Sequence, residues 1–159
     1  DKLVEEMANL LDSVVSKQAR IDLHLSPARI EADVTQIRQV LMNLLTNASD
    51  ALGDDAGTIT VHTGECDCDA VQLQSPYLSH KLSAGKYAFV QVRDTGCGMD
   101  EEVLPKIFDP FYSTKFDGRG LGLAAVLGIV QGHGGTIHVR SQPGKGTEFE
   151  VLFPASESR

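Results

Sequence analysis

A chain of 159 residues, 42% hydrophobic and 23% charged, has the length of one domain and buries enough surface to fold without a disulfide or metal staple. Its net charge of -8 argues against a broad nucleic-acid-binding surface or a polybasic membrane contact, because both need clustered Lys and Arg, yet it leaves room for an anionic ligand in a locally positive pocket. Three cysteines give no evident disulfide framework and no apolar run approaches the roughly 20 residues that span a bilayer, so reduced, cytosolic surroundings are expected.

The chain opens inside a helical pattern (Leu3, Val4, Met7, Leu10, Leu11, Val14, Val15), and residues 1–18 read as a helical segment leading in from a longer protein, ahead of a domain over 19–159. "ARIDLHL", Ala19 to Leu25, alternates Ile21, Leu23 and Leu25 with polar residues as a half-buried strand does, and Pro27 stops it. From Asp33 the apolar residues Val34, Ile37, Val40, Leu41, Leu44, Leu45, Ala48 and Leu52 recur at helical spacing, with Asp33 as N-cap and Gly53 as stop. "GTITVHTG", Gly57 to Gly64, predicts a strand, and Glu65 to Gly85, polar with one proline, a hairpin excursion or mobile loop. Within it "ECDCD" has no second Cys/His pair at zinc spacing and reads as a solvated loop.

"KYAFVQVRD" predicts the next strand, "DEEVLPKIF" a short helix, and "DPFYSTKFDGRG" an irregular stretch suited to a flexible lid. "LGLAAVLGIVQGHGG" carries a helix ended by Gly134 and Gly135, and "TIHVRSQ" and "TEFEVLF" read as strands joined by the "PGKG" turn. Helices with mostly antiparallel strands in this order predict a two-layer α+β sandwich.

Three patterns carry chemistry. Asn43 and Asn47 share one helix face, with Asp50 a turn further on; the pair is either a solvent-facing coincidence or a source of neutral amide oxygens for a hard cation such as Mg²⁺. In "RDTGCGMD", Asp94 with Gly96 and Gly98 follows a strand, as a tight turn or as the wall of a ligand site. "GRGLGLA" places Gly118, Gly120 and Gly122 before a helix, where N–H groups and the helix dipole suit a phosphate chain or where small residues permit close packing. The spacing is neither GxGxxG nor GxxxxGK[ST], which sets aside dinucleotide and P-loop folds.

Taken together these patterns resemble the catalytic, ATP-binding domain of sensor histidine kinases, within the superfamily of gyrase, Hsp90 and MutL ATPases. The matching boxes are "QVLMNLLTNASDAL" (Gln39 to Leu52), "DTGCGM" (Asp94 to Met99), "IFDPFYSTK" (Ile107 to Lys115), "GRGLGLA" (Gly118 to Ala124) and "GKGTEFEVLFP" (Gly144 to Pro154). The resemblance implies a mixed five-stranded sheet under about three helices, with ATP and Mg²⁺ as cofactors. It makes Asp94 the acceptor for the adenine amine, supported by Thr147, with Gly96 and Gly98 beside the base. Asn47 is the implied Mg²⁺ ligand and Asn43 its phosphate-side neighbour. Lys115, Gly118, Gly120, Leu121 and Gly122 would meet the phosphates, Phe108 and Phe111 are the F-box aromatics, and Asp50, Met99, Thr114, Arg119 and Leu123 complete the nucleotide's surroundings.

ATP-hydrolysing members of the superfamily place a glutamate four residues before the Mg²⁺-binding Asn, and here that position is Asn43, which cannot serve as a base. The resemblance therefore implies transfer of the γ-phosphoryl group to a histidine rather than to water, helped by Mg²⁺ and by lid closure. None of His24, His62, His80, His133 and His138 precedes an acidic residue as the family's acceptor does. The acceptor is expected on a dimerisation domain elsewhere in the parent protein, with a response regulator downstream, no nucleic acid or membrane contact, and a monomeric fragment. A nucleotide-binding regulator without transfer and a gyrase-like ATPase are the competing readings.

Overall fold

Alternation of apolar and polar residues places Ala19–Leu25 in a strand, β1, and the 3.6-residue apolar period of Val34–Leu52 winds it into the long helix α1. The computed structural model describes residues 6, 9, 19–52, 56–77, 82–109 and 121–156. As expected, Asp33 caps α1: its Oδ1 accepts the N–H groups of Thr35 (2.9 Å) and Gln36 (3.3 Å). Gly53, the expected stop, lies outside the described residues, as does the expected helix over 1–18 apart from Glu6 and Asn9.

The remaining elements are β2 (Gly57–Cys68), β3 (Gly85–Asp94), a 3₁₀ turn at Leu104–Lys106, α2 (Leu121–Gly132), β4 (Thr136–Gln142) and β5 (Gly146–Pro154). The strands form one mixed sheet in the order β1-β2-β3-β5-β4. β1 pairs with β2 in parallel, across the α1 crossover, and the other three pairings are antiparallel. Both helices pack on one face, where Leu44, Leu45, Ile59, Val61, Val92, Val126, Val130, Ile137 and Val151 make the core. The two-layer α+β sandwich and five-stranded mixed sheet are as expected.

Three local readings change. β2 runs four residues past Gly64, so "ECDC" is strand and not loop; Cys66 pairs with Tyr87 and Cys68 with Gly85. Long-range pairing with β3 supplies the backbone partners there, and it overrides the low strand propensity of Asp and Glu. "DEEVLPKIF" is no α-helix: Asp100 Oδ1 accepts the N–H groups of Glu102 and Val103, and Pro105, lacking an N–H, limits the rest to a short 3₁₀ turn. Two α-helices, rather than about three, therefore cover the sheet among the described residues.

α2 ends in a Schellman motif. Gly134 takes φ +71, its N–H bonds the Gln131 carbonyl, and the Gly135 N–H reaches back to Val130. His133, beside this terminator, accepts the Asp33 N–H on Nε2 (3.2 Å) and so donates from Nδ1 to the Ile129 carbonyl (2.8 Å). One neutral imidazole thus ties the end of α2 to the start of α1.

Candidate functional site

Asp94 is the last residue of β3 and pairs with Thr147 of β5, on the side of the sheet that carries the helices. It is buried, with 4% exposure, and its Oδ1 accepts the Gly96 N–H at 2.8 Å. Burial raises the carboxyl above its ordinary pKa, against the opposing pull of the Gly96 and Thr147 N–H groups. A buried carboxylate in this setting is a strong acceptor for a ligand N–H donor.

The glycines after Asp94 are explained by the protein itself. A Cβ on Gly96 would run into the Ala51 carbonyl at the end of α1, and one on Gly98, at φ +69, into the Gln142 carbonyl. The Cys97 N–H bonds the Ala51 carbonyl (3.1 Å) and the Gly144 N–H bonds the Cys97 carbonyl (2.8 Å). The "DTGCGM" loop is therefore stitched between the C-terminal end of α1 and the β4–β5 turn.

Ser141, which the sequence reading missed, organises this corner. Its hydroxyl donates to the Gly146 carbonyl (3.1 Å) and accepts the Met99 N–H (2.7 Å) and the Thr147 hydroxyl (2.8 Å). That uses the one proton and both lone pairs of the hydroxyl, and it commits the Thr147 proton, so Thr147 turns lone pairs toward any further partner. The signal was present: the "PGKG" turn pairs Gln142 with Gly146 and so sets Ser141 opposite Thr147.

A second group lies where α1 meets α2. Asn43 and Asn47 are half-buried on one face of α1, and Asp50 is exposed beyond them. Asn43 donates from Nδ2 to the carbonyl of Gly122, in the first turn of α2 (3.0 Å), which brings the asparagine face to that helix N-terminus. Leu121 opens α2, and Leu123 packs against the core.

Phe108 is buried in the core with its ring edge-on to Tyr77 at 4.5 Å, and Met99 packs against the same core. Phe111, Thr114, Lys115, Gly118, Arg119 and Gly120 lie outside the described residues. Cys66 and Cys68 are remote, on the other face of the sheet, with their sulfurs 3.2 Å apart and the Cys66 thiol pushed up to about 12 by burial. Among the described residues no group of three or more His, Cys, Asp or Glu is placed to hold a metal ion, and no helix is long and apolar enough to cross a membrane.

Comparison with known proteins agrees with this geometry. The family described as histidine kinase-, DNA gyrase B- and HSP90-like ATPase matches residues 32–157. The sensor histidine kinase ZraS of Klebsiella oxytoca is 44% identical over 128 residues, covering 80% of this chain and 24% of that protein. The sensor kinase CckA of Brucella abortus is 37% identical over 159 residues, covering 96% of this chain and 16% of that protein. The chain thus spans a quarter or less of the length of these two curated relatives. Among solved structures, the catalytic domain of the histidine kinase ThkA superposes with a TM-score of 0.75 at 30% identity, covering 96% of this chain and 90% of that one. Full-length ShkA in complex with AMPPNP superposes at 0.76 with 26% identity, covering 99% of this chain and 30% of that one. The chain belongs to the histidine kinase-, DNA gyrase B- and HSP90-like ATPases, and within them to the catalytic domains of sensor histidine kinases.

Proposed function

We propose that this domain binds ATP between the Asp94 corner and the junction of α1 with α2, and passes the γ-phosphoryl group to a histidine of a dimerisation domain in the same parent protein. A nitrogen of that imidazole would attack γ-phosphorus in line, the bond to the β,γ-bridging oxygen would break, and ADP would leave. The observation that carries the reading is the buried Asp94 carboxylate, fixed by Gly96 and flanked by Thr147. It offers an acceptor to the adenine amine and nothing to guanine, whose O6 would leave a buried acceptor unpaired. The AMPPNP bound to ShkA, a structural neighbour, supports an adenine nucleotide as ligand.

The amide oxygen of Asn47 would hold Mg²⁺, which usually keeps several waters and takes its other oxygens from phosphates. The Asn43 amide, tied to Gly122, fits a structural bridge beside the phosphates and no general base, which favours transfer over hydrolysis. Asp50, Met99, Phe108, Leu121, Gly122 and Leu123 would complete the nucleotide's surroundings from the described residues, and Thr114, Lys115, Gly118, Arg119 and Gly120 are the further residues we assign to it by their place in the sequence. Residues 1–18 would connect to the phosphoacceptor domain, a response regulator would receive the phosphoryl group, and the domain would work in the cytoplasm.

Calorimetry with ATP and GTP, followed by a transfer assay on a separately produced phosphoacceptor domain, tests this. ATP binding without GTP binding, and histidine phosphorylation lost in Asn47→Ala, are the expected results. Tight ATP binding with no transfer would make the domain a nucleotide-controlled regulator, and steady ATP turnover without acceptor would make it a hydrolase.

A further inference from the structure

Cys66 and Cys68 take no part in the nucleotide site, yet their placement is specific. They stand two residues apart on β2, on the face of the sheet without helices, with their sulfurs 3.2 Å from one another. A disulfide bond is about 2.0 Å long, so the two atoms are little more than about 1 Å from bonding distance. β1 accompanies β2 only as far as the Leu25–Thr63 pair, and β5 accompanies β3 only as far as the Tyr87–Pro154 pair. Beyond the row of Cys66, Tyr87 and Pro154, β2 and β3 run on alone to the Cys68–Gly85 pair as a two-stranded ribbon, which tolerates more twist than a strand inside a sheet. Alternate residues of a strand have Cα atoms about 6.4–6.8 Å apart, the upper end of the span a disulfide bridges, so closing the bond draws the end of that ribbon inward.

The thiols pack with Leu73, Leu82, Tyr87, Phe89 and Leu152 in a small apolar cluster. Leu73 reaches it from the turn after Cys68, in which Asp69 and Gln72 exchange two hydrogen bonds of 2.8 and 2.7 Å. Further along, the Ser75 hydroxyl donates to the Ile137 carbonyl of β4 (2.6 Å) and the Tyr77 hydroxyl to the Leu104 carbonyl (3.0 Å), which anchors the connection on its far side. A change at the cysteines is therefore taken up between Cys66 and Leu73.

The two sulfurs are not equivalent. Burial first, and then the Cys68 sulfur beside it, push the Cys66 thiol up to about 12, so Cys66 keeps its proton at neutral pH and Cys68 is the sulfur that attacks first. Once Cys68 has reacted it carries no charge, and one of the causes that hold the Cys66 proton in place is gone.

We propose that Cys66 and Cys68 form a reversible intramolecular disulfide, a redox site apart from the Asp94 corner, with a low-molecular-weight disulfide such as oxidised glutathione as co-reactant. The Cys68 thiolate attacks one sulfur of oxidised glutathione; a bond from Cys68 to that sulfur forms, the glutathione S–S bond breaks and one glutathione thiolate leaves. Cys66 gives its proton to solvent and its sulfur attacks the Cys68 sulfur, releasing the second glutathione. The protein loses two hydrogens with their electrons, and the two glutathiones gain them. In reduced surroundings such a bridge is transient, and the bend it imposes on β2 makes it more easily reduced than a structural disulfide.

The whole chain, incubated folded with oxidised glutathione, quenched in acid, alkylated and mapped with trypsin, tests this. Peptide 39–81 holds both cysteines and peptide 94–106 holds Cys97. Peptide 39–81 should become lighter by two hydrogens and lose both alkylatable thiols, and dithiothreitol should restore them. Cys97→Ser should form the same bridge, and Cys66→Ser should stop at a glutathione adduct on Cys68. Cys66 and Cys68 that stay free, carry separate adducts or pair with Cys97 in the wild-type chain overturn the proposal. A bridge that forms only in urea also overturns it, because the folded arrangement is then not its source.

Discussion

At Asp94 the proposed role in binding and the demands of stability pull apart. A carboxylate held in a buried corner costs the fold at neutral pH, because its raised pKa means that the folded state favours the proton. Its contribution to stability is therefore fully present below the ordinary aspartate pKa of about 3.9 and is lost as pH rises through the higher folded value. Asp94→Asn should accordingly leave the melting temperature of the ligand-free domain at or above that of wild type, while ATP affinity falls by about a hundredfold, as expected when a buried charged acceptor is replaced. A scanning-calorimetry melt paired with an ATP titration checks both. A clear drop in melting temperature would mean that the carboxylate holds the corner together rather than waiting for a ligand. Asp94 and its glycines were legible as a unit in the sequence. The reason for the glycines was not, since the Ala51 and Gln142 carbonyls that crowd them come from residues more than forty positions away.

Among the elements, α1 carries the asparagine face and depends on its cap. Asp33 meets two otherwise unpaired N–H groups, and its replacement by Ala should cost about 1 kcal/mol, while Asn should recover most of that. Urea unfolding of the three proteins reads the difference directly; an Asn version as unstable as the Ala version would show that the cap is not what Asp33 supplies. The cap was readable because it is local, one side chain serving N–H groups two and three residues ahead. The end of β2 was not, because Glu65 to Cys68 have poor strand propensity and become strand by pairing with Gly85 to Ala88.

For the whole molecule, the face of the sheet without helices is joined by a cross-strand chain. His138 places Nδ1 at 3.3 Å from Glu150 and Nε2 at 2.9 Å from the Gln74 carbonyl, so both nitrogens meet acceptors and the ring is satisfied as imidazolium. The Gln91 amide also donates to Glu150. The Glu150 hydrogen bond raises the pKa of His138, with burial opposing, and the His138 hydrogen bond lowers that of Glu150. The histidine adds stability that is complete below about pH 6.5 and fades as pH rises through its folded value; the glutamate adds stability that is complete above about pH 4.3 and fades as pH falls through its own. The domain should melt at a higher temperature near pH 5.5 than at pH 8.5, and His138→Gln should flatten that difference. A variant that keeps the full pH dependence would place its origin elsewhere. Because His138 also holds the Gln74 carbonyl, loosening at high pH should appear first in the β2–β3 connection around Gln74.

Short windows of residues encode the apolar period of α1, the alternation of the strands, the Asp33 cap, the glycine terminator of α2, and the ordered boxes that mark the family. Everything that depends on partners far along the chain came from the packing of the fold. That packing set the length of β2, tied Asn43 to Gly122, made Ser141 the hub beneath Thr147, and carried Tyr77 around an edge strand to Leu104. The physical reason is that hydrogen-bond satisfaction inside a fold is settled by which groups the topology brings together, and a side chain has no partner until the sheet order and the helix packing supply one.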